Sequence, residues 1–396
     1  MRRIFTLLIS VLLGLPGLTQ TDACNLRISL LTCSPGEELY STFGHSAMRV
    51  QDNSIGIDII YNYGTFEFGP DFYTQFIQGK LLYFLSAQDF SDFRAAYAWE
   101  KRGIVEQELI LPCTEKQRLH QALQANSLES NRYYRYDFLF DNCTTRLRDI
   151  VAKNSGQPVI YDTVIPKKAP TFRNLIHSYL NAGEQYWSKL GIDILLGSDL
   201  DKPVSNHQAM FLPDYLMKGL DSATSHRQRL AAPAQVILPR PIVKKENSPF
   251  TPMVVFSTLL GLILILSFIP KKGVQRFLSV FDFLFFLTLG LAGILLLFMW
   301  FGTNHTVCQD NLNLIWALPT HTIAAFFLWK RTQWVHYYLL ATIILQSLLL
   351  LGWIFLPQQL NISLIPIVLL ILLRSWLLIQ KPFDHTQTVQ INDLSA

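Results

Sequence analysis

Residues 277 to 301 read FLSVFDFLFFLTLGLAGILLLFMWF, an apolar run of 25 residues whose one charged side chain is Asp282. A helix of this length exceeds the roughly 20 residues that cross the hydrocarbon core of a bilayer. Four further apolar runs of similar length lie at about residues 250–269, 312–329, 335–356 and 360–379. The pattern predicts five transmembrane helices within residues 250–380.

The chain before these runs has a different composition. The protein has 396 residues with 33 Lys and Arg and 29 Asp and Glu, but only seven of the basic and four of the acidic residues follow Pro249. We therefore expect residues 24–240 to form a polar globular domain with one core. A formal net charge of only +4 also argues against a nucleic-acid-binding protein, because such proteins concentrate basic charge on one face.

The amino terminus has the pattern of a secretory signal peptide. Arg2 and Arg3 precede an apolar run from Ile4 to Leu18, and small or polar residues continue to Ala23. We expect residues 1–23 to be removed, the domain that follows to be exported, and Cys24 to carry no lipid. A retained membrane anchor is the alternative.

Basic residues occupy alternate loops of the apolar half. They are Lys271, Lys272 and Arg276 after the first run, Lys330 and Arg331 after the third, and Lys381 after the fifth. The loops 302–311 and 357–359 contain none. Because positively charged loops stay in the cytoplasm, the loop 302–311 is predicted to lie on the side of the exported domain. The linker 241–249 would join the two halves, and the tail 381–396 would be cytoplasmic.

Within the exported domain the patterns alternate between strand and helix, which predicts an α+β fold. The expected elements are strands at 43–50 and 56–63 joined at Asp52-Asn53, a strand at 105–111, a helix capped by Thr114 with Gln117, a helix starting near Cys143, and helices near 171–181 and 207–220.

Cys143 is the candidate nucleophile. It follows Asp141-Asn142 at the predicted start of a helix, where free N–H groups and the helix dipole stabilise a thiolate and can hold an oxyanion. Its neighbours Asn142 and Thr144 are expected to contact substrate. A small buried thiol that happens to follow a helix cap is the alternative.

His45 is the candidate base for this thiol. Gly44 permits close backbone approach and is expected to line the substrate site, and the strand after His45 would fix the imidazole. The neighbouring strand offers three orienting partners for the ring. Asn62 is favoured, and Asp58 and Tyr61 stay open because the register is not known from the sequence.

Three further residues, His305, Asp310 and Asn311, lie in the polar loop 302–311. We expect them to meet the catalytic domain or a lipid headgroup, with a solvated turn as the alternative.

Cysteine and histidine spacings give no support for a metal site, and no cofactor is expected. The five cysteines are an odd number for an exported protein, and spacing alone does not decide whether Cys33 pairs with Cys113. Arg374 is expected to extend towards the membrane surface.

Four motifs carry a family resemblance: LTCSPG at 31–36, LYSTFGH at 39–45, YNYGTF at 61–66 and DNCTT at 141–145. They resemble the N-terminal periplasmic domain of the Lnb lipoprotein N-acyltransferases, and the apolar tail is similar to that of the longer members. Ser34 departs from the glycine expected in the first motif. The resemblance implies a circularly permuted papain-like (NlpC/P60-like) domain, in which histidine precedes cysteine, followed by five transmembrane helices.

The resemblance also implies an activity. Cys143 would take an acyl chain from a membrane phospholipid as a thioester, and His45 would assist its transfer to the α-amino group of the S-diacylglyceryl cysteine of a lipoprotein. The protein would then lie in the bacterial inner membrane with its catalytic domain in the periplasm.

Two other functions stay open on the sequence. A membrane-tethered cell-wall cysteine peptidase or amidase would use the same Cys143 and His45, because amides and esters share a tetrahedral intermediate. A membrane scaffold without catalytic activity would use neither residue.

Overall fold

The computed structural model describes residues 24–241, 249–330 and 332–380. The predicted signal peptide, most of the predicted linker and the predicted cytoplasmic tail lie outside the described residues.

A seven-stranded sheet organises the first domain, and every pair of neighbouring strands is antiparallel. The strands are β1 Leu26–Cys33, β2 His45–Asp52, β3 Ile57–Thr65, β4 Leu82–Asp89, β5 Ile104–Glu108, β6 Tyr133–Arg135 and β9 Gln235–Leu238, and a separate hairpin comprises β7 Thr224–Ser225 and β8 Gln228–Arg229. The order across the sheet is β6-β4-β3-β2-β1-β5-β9. The predicted hairpin is present as β2 and β3, with Val50 opposite Ile59.

Helices cover both faces of this sheet. In the first domain they span Phe72–Ile77, Phe90–Trp99, Cys113–Ser127, Cys143–Asn154, Phe172–Ala182, Tyr186–Leu195, Asn206–Ala209 and Pro213–Ser222, with short 3-10 turns at Leu39–Ser41 and Ser198–Asp201. Leu119 and Leu147 pack with Met48 on one face, whereas Phe93 packs with Ile60 on the other. The Cys143 helix therefore lies on one side of the sheet and Phe90–Trp99 on the opposite side.

Two helical predictions differ from the structure in detail. The helix Cys113–Ser127 follows Pro112 and has no side-chain cap, so the capping box predicted for Thr114 is absent. The helix predicted at 207–220 is two helices, and the second starts at Pro213. Proline is favoured at the first turn and disfavoured in a helix interior, because it has no N–H to donate.

In the apolar half, three helices among the described residues are long and apolar enough to cross a membrane: Lys272–Phe301, Gln333–Phe355 and Ile362–Ile379. Pro252–Ser267 is apolar but shorter. The third predicted run is interrupted near Pro319, with a 3-10 turn at Leu312–Ile315 before it and the helix His321–Phe327 after it. Five transmembrane helices are therefore not confirmed.

Arg374 does not extend to the surface as predicted. Its side chain is buried and donates to both carboxylate oxygens of Asp282, at 2.6 and 2.8 Å, and to Ser267 at 2.7 Å. Paired charges are the form in which ionisable groups are tolerated inside a membrane domain. The ion pair joins two of the apolar helices, and the bond from Arg374 to Ser267 adds a third.

A buried polar network connects the two halves. The Asp193 carboxylate, fully buried, accepts from Arg173 at 2.8 Å, from His177 at 2.7 Å and from the Asn361 amide at 2.8 Å. The Asn313 amide donates to the backbone carbonyl of Asp193 at 2.8 Å. Because Asn361 and Asn313 belong to the membrane half, these bonds fix its position relative to the sheet domain.

Candidate active site

Cys143 is the first residue of its helix, and Asn142 is the cap. The Asn142 side-chain oxygen accepts from the N–H groups of Thr144 and Thr145, and the Thr145 hydroxyl accepts from the Asn142 N–H. The Asn142 amide donates to two carbonyls, those of Phe138 and Phe211. The predicted helix start is therefore present. The Asn142 side chain accepts from the second and third N–H groups of the helix and does not accept from the first, that of Cys143.

The Cys143 thiol lies beside His45, the first residue of β2. Interaction with the ring of His45 lowers the pKa of the thiol, and Nε2 of the ring lies 2.5 Å from Oδ1 of Asn62. An amide oxygen only accepts, so Nε2 carries the proton and Nδ1 is the ring nitrogen left for the sulfur. The structure thus brings together Cys143, His45 and Asn62.

The electrostatics of this cluster favour a thiolate. Burial alone would raise the pKa of Cys143, but the charge of His45, its hydrogen bond, the backbone N–H of Ser46 and the Thr144 hydroxyl lower it to about 7. Burial acts to lower the pKa of His45, yet the charge and hydrogen bond of Cys143 and the bond to Asn62 raise it overall. The interactions that lower the pKa of Cys143 and raise that of His45 favour a thiolate and imidazolium pair.

The two alternative orienting residues have other partners. Asp58 accepts two short bonds from Arg49, at 2.6 and 2.7 Å. Tyr61 lies on the opposite face of β3, with its hydroxyl 3.3 Å from His120. Of the three candidates, Asn62 is the one that contacts His45.

The predicted substrate contacts Gly44, Asn142 and Thr144 all lie at the cluster. Gly44 has a φ of +77°, and a Cβ there would come within 2.7 Å of the Cys33 carbonyl. Asn142 and Thr144 are buried, and the Thr144 hydroxyl donates to that of Ser46 at 3.1 Å. These contacts position β2 and the helix start, and binding of substrate by the three residues stays a prediction.

The loop 302–311 meets the sheet domain rather than forming a solvated turn. His305 Nε2 donates to the Phe76 carbonyl at 2.9 Å, and the Asn311 amide donates to the carbonyls of Ile194 and Leu195. The Asp310 carbonyl accepts from the Ser198 N–H at 3.2 Å. The loop therefore lies on the same side of the membrane half as the sheet domain, and the contacts of these three residues are with Phe76 and residues 194–198.

Two tyrosines and a glycine around the thiol were missed by the sequence analysis. A Cβ on Gly64, whose φ is +88°, would lie 3.6 Å from the Cys143 Cβ, 3.8 Å from the Tyr136 ring and 4.0 Å from the Tyr134 hydroxyl. Burial and then the charge of Cys143 raise the pKa of both tyrosines. The run Tyr133-Tyr134-Arg135-Tyr136 was the available signal, because it places aromatic residues shortly before the Cys143 helix.

The cysteines divide into one disulfide and three free thiols. Cys24 pairs with Cys113, whereas Cys33, Cys143 and Cys308 are free and buried. The pairing of Cys33 with Cys113, which spacing had left open, is therefore not formed. Cys33 lies in β1, where burial first of all raises its pKa to about 12 and keeps it protonated.

The described residues contain no group of three or more His, Cys, Asp or Glu side chains that could hold a metal ion.

The protein therefore consists of two parts, an α+β domain and a helical membrane domain, which are joined by hydrogen bonds. The family model described as the Lnb N-terminal periplasmic domain matches residues 17–177, and that of the Lnb transmembrane domain matches residues 244–382. The chain belongs to the Lnb family, and this membership indicates a lipoprotein-processing membrane enzyme. No curated protein and no solved structure matches it.

Proposed function

We propose that this protein is a lipoprotein N-acyltransferase with a Cys143 nucleophile. The single observation that carries the proposal is the cluster of Cys143, His45 and Asn62, in which the thiol pKa is lowered to about 7. A thiolate beside an imidazolium is the arrangement that acyl transfer through a thioester needs. Membership of the Lnb family supports a lipoprotein as the acceptor.

In the first step, the Cys143 thiolate attacks an ester carbonyl of a membrane phospholipid. The tetrahedral oxyanion is held by the Cys143 N–H, which Asn142 leaves open at the helix start. The intermediate collapses with cleavage of the ester C–O bond. His45 donates its proton to the departing glycerol oxygen, so a lysophospholipid leaves and an acyl thioester remains on Cys143.

In the second step, the α-amino group of a lipoprotein's S-diacylglyceryl cysteine attacks the thioester. Neutral His45 takes the proton from the attacking amine, the C–S bond breaks, and the acyl chain becomes an amide on the lipoprotein. The thiolate and imidazolium pair is regenerated. Asn62 acts as a positioning residue that holds the imidazole ring for both proton transfers.

The membrane half gives both substrates access to this site. Donor and acceptor each carry acyl chains, and moving such a chain into water costs about 0.8 kcal/mol per CH₂ group. The bonds from Asn361 and Asn313 to Asp193 hold the sheet domain against the membrane half. We further propose that this domain has the permuted papain-like fold, and that the protein lies in the bacterial inner membrane with its carboxyl terminus in the cytoplasm.

The experiment is mass spectrometry of lipoprotein N-termini from three strains. Each strain expresses a single version of the protein, which is the wild type, Cys143→Ser or Cys308→Ala. Cys308 is a second buried free thiol and serves as the matched control. We expect N-acylated termini with the wild type and Cys308→Ala, and free amino termini with Cys143→Ser. Unchanged N-acylation in Cys143→Ser would overturn the proposal. Altered cell-wall peptides in that strain, with normal lipoproteins, would instead identify the peptidase or amidase.

A further inference from the structure

An exposed aromatic ridge follows β3 in the sheet domain. We define it as the aromatic residues Phe66, Phe68, Phe72, Tyr73 and Phe76 together with Ile77. The five rings form a continuous series of contacts from Phe66 to Phe76, in which Phe66 and Phe72 are half-buried and the other members are exposed. Phe68 is 75% exposed and Tyr73 is 72% exposed. Contiguous exposed apolar surface of this kind marks a site of interaction with a membrane, a ligand or another protein.

One end of the ridge reaches the candidate nucleophile. Phe66 contacts the ring of Tyr83 at 5.3 Å, and Tyr83 stacks on Tyr136 at 4.4 Å. Tyr136 lies next to Gly64, which packs against Cys143. An aromatic path therefore runs from the thiol to the exposed ridge.

The other end of the ridge is fixed to the membrane half. The Phe76 carbonyl accepts from His305 at 2.9 Å, and the Gln78 carbonyl accepts from the Asn304 N–H at 2.9 Å. The spanning helix Lys272–Phe301 ends three residues before Asn304. The ridge thus lies level with the end of a membrane helix, the depth at which aromatic residues are enriched.

The chemistry of the ridge fits an acyl chain better than a peptide. An extended peptide binds through backbone groups of an open strand edge, but in Phe72–Ile77 the backbone is helical and its bonds are internal, as in Gln75 N–H to Asp71. The neighbouring carboxylates of Glu67 and Asp71 are negatively charged and repel a lipid phosphate. The ridge therefore does not bind the lipid headgroup.

We propose that the ridge dips into the outer surface of the bilayer and guides one acyl chain of a bilayer lipid to Cys143. The inference rests on the proposed function and names the surface that delivers the acyl donor. The chain would lie along Phe76, Phe72 and Phe66 and reach the thiol past Tyr83 and Tyr136. The ester carbonyl would then meet the thiolate without the chain crossing water.

The test compares the double variant Phe68→Ser/Phe76→Ser with Trp99→Ser. Trp99 is 86% exposed and ends the helix on the face of the sheet opposite the Cys143 helix, so its replacement is a control for the loss of a large exposed aromatic side chain away from the ridge. Full-length protein is placed in vesicles of phosphatidylethanolamine and phosphatidylglycerol with a diacylated lipopeptide. Alkylation of Cys143 by iodoacetamide, a soluble probe, shows that each variant keeps its folded thiolate.

We expect acyl transfer to fall about tenfold or more in the double variant and to stay within twofold of the wild type in Trp99→Ser, because each lost phenyl ring removes a substantial apolar contact. A phosphatidylethanolamine with a diazirine on its acyl chain should cross-link within residues 66–77 of the wild type.

Normal transfer in the double variant, with no cross-link in that segment, would overturn the ridge proposal while leaving the proposed function in place. Should the wild type transfer no acyl chain, the proposed function fails, and the ridge proposal is then decided by the cross-link alone. Cross-linking to residues 66–77 would support it, and cross-linking elsewhere would contradict it.

Discussion

The Nε2 atom of His45 lies 2.5 Å from the Oδ1 atom of Asn62, one strand away in the sheet. This bond holds the imidazole with its other nitrogen towards Cys143. Burial acts to lower the pKa of His45, and the bond to Asn62 adds to the charge and hydrogen bond of Cys143 in raising it overall. Asn62 thereby orients the proposed base and contributes to its protonation.

Replacing Asn62 with Ala should slow acyl transfer about tenfold to a hundredfold, since a hydrogen bond to a charged group contributes about 1.5–3 kcal/mol. The same variant should shift the pH profile of Cys143 alkylation upward, because the imidazolium that stabilises the thiolate is weakened. A purely structural role would leave that profile unchanged. Asp58→Asn is the control, since Asp58 contacts Arg49 and not His45. Equal effects of the two changes would contradict the assignment.

The pH dependence of the thiol gives a second prediction. The pKa of Cys143 is lowered to about 7, so its alkylation rate should rise with pH and reach half its maximum near 7. In His45→Ala the charge and hydrogen bond that lower the pKa are lost while burial still raises it, so the midpoint should move above the ordinary thiol value of about 8.5. Cys308 is an internal control, because burial raises its pKa to about 11. A wild-type midpoint at or above the ordinary value would contradict the ion pair.

Loss of the Asn142 side chain should destabilise the domain more than loss of an ordinary helix cap. Asn142→Ala removes a cap worth about 1 kcal/mol and leaves the carbonyls of Phe138 and Phe211 without a donor, for a total of roughly 2 to 4 kcal/mol. Thr171→Ala removes an exposed capping box of the same kind and should cost about 1 kcal/mol. Denaturant unfolding of the purified proteins measures the difference. Equal losses would show that the two carbonyl bonds contribute nothing.

The buried network at the junction gives a fourth prediction. Asp193→Ala removes one carboxylate from Arg173 and the acceptor of Asn361, and the expected loss is about 3 kcal/mol, as for a broken buried ion pair. Arg173 keeps Asp201, at 2.9 Å, so the loss should not exceed that value greatly. Asp199→Ala breaks an exposed pair with Lys202 and should cost less than about 1 kcal/mol. A small effect at Asp193 would mean that the network does not hold the two halves together.

Local features of the site could be predicted from the sequence. The start of the helix at Cys143 was predicted because Asp141-Asn142 are capping residues, and capping depends on contacts within one helical turn. The hairpin of β2 and β3 was predicted from its turn residues in the same way. The proximity of His45 to Cys143 came from chemical reasoning and family resemblance.

Long-range features could not be predicted. Choosing Asn62 over Asp58 requires the register of neighbouring strands, which the sequence pattern does not give. The disulfide from Cys24 to Cys113 and the pair of Arg374 with Asp282 join residues far apart in the chain. These contacts follow from the complete fold, so the spacing of the cysteines did not identify the disulfide and the position of Arg374 in an apolar run did not identify its partner.

The transfer of a labelled acyl chain through Cys143 tests the central claim most directly. Full-length protein in vesicles with an isotopically labelled phospholipid should carry the label as a thioester on the Cys143 peptide, seen by mass spectrometry after rapid acid quench. Addition of a diacylated lipopeptide should move that label to the peptide's amino terminus as Cys143 is freed. A labelled lipopeptide formed without any label on Cys143, or formed equally by Cys143→Ser, would contradict the account.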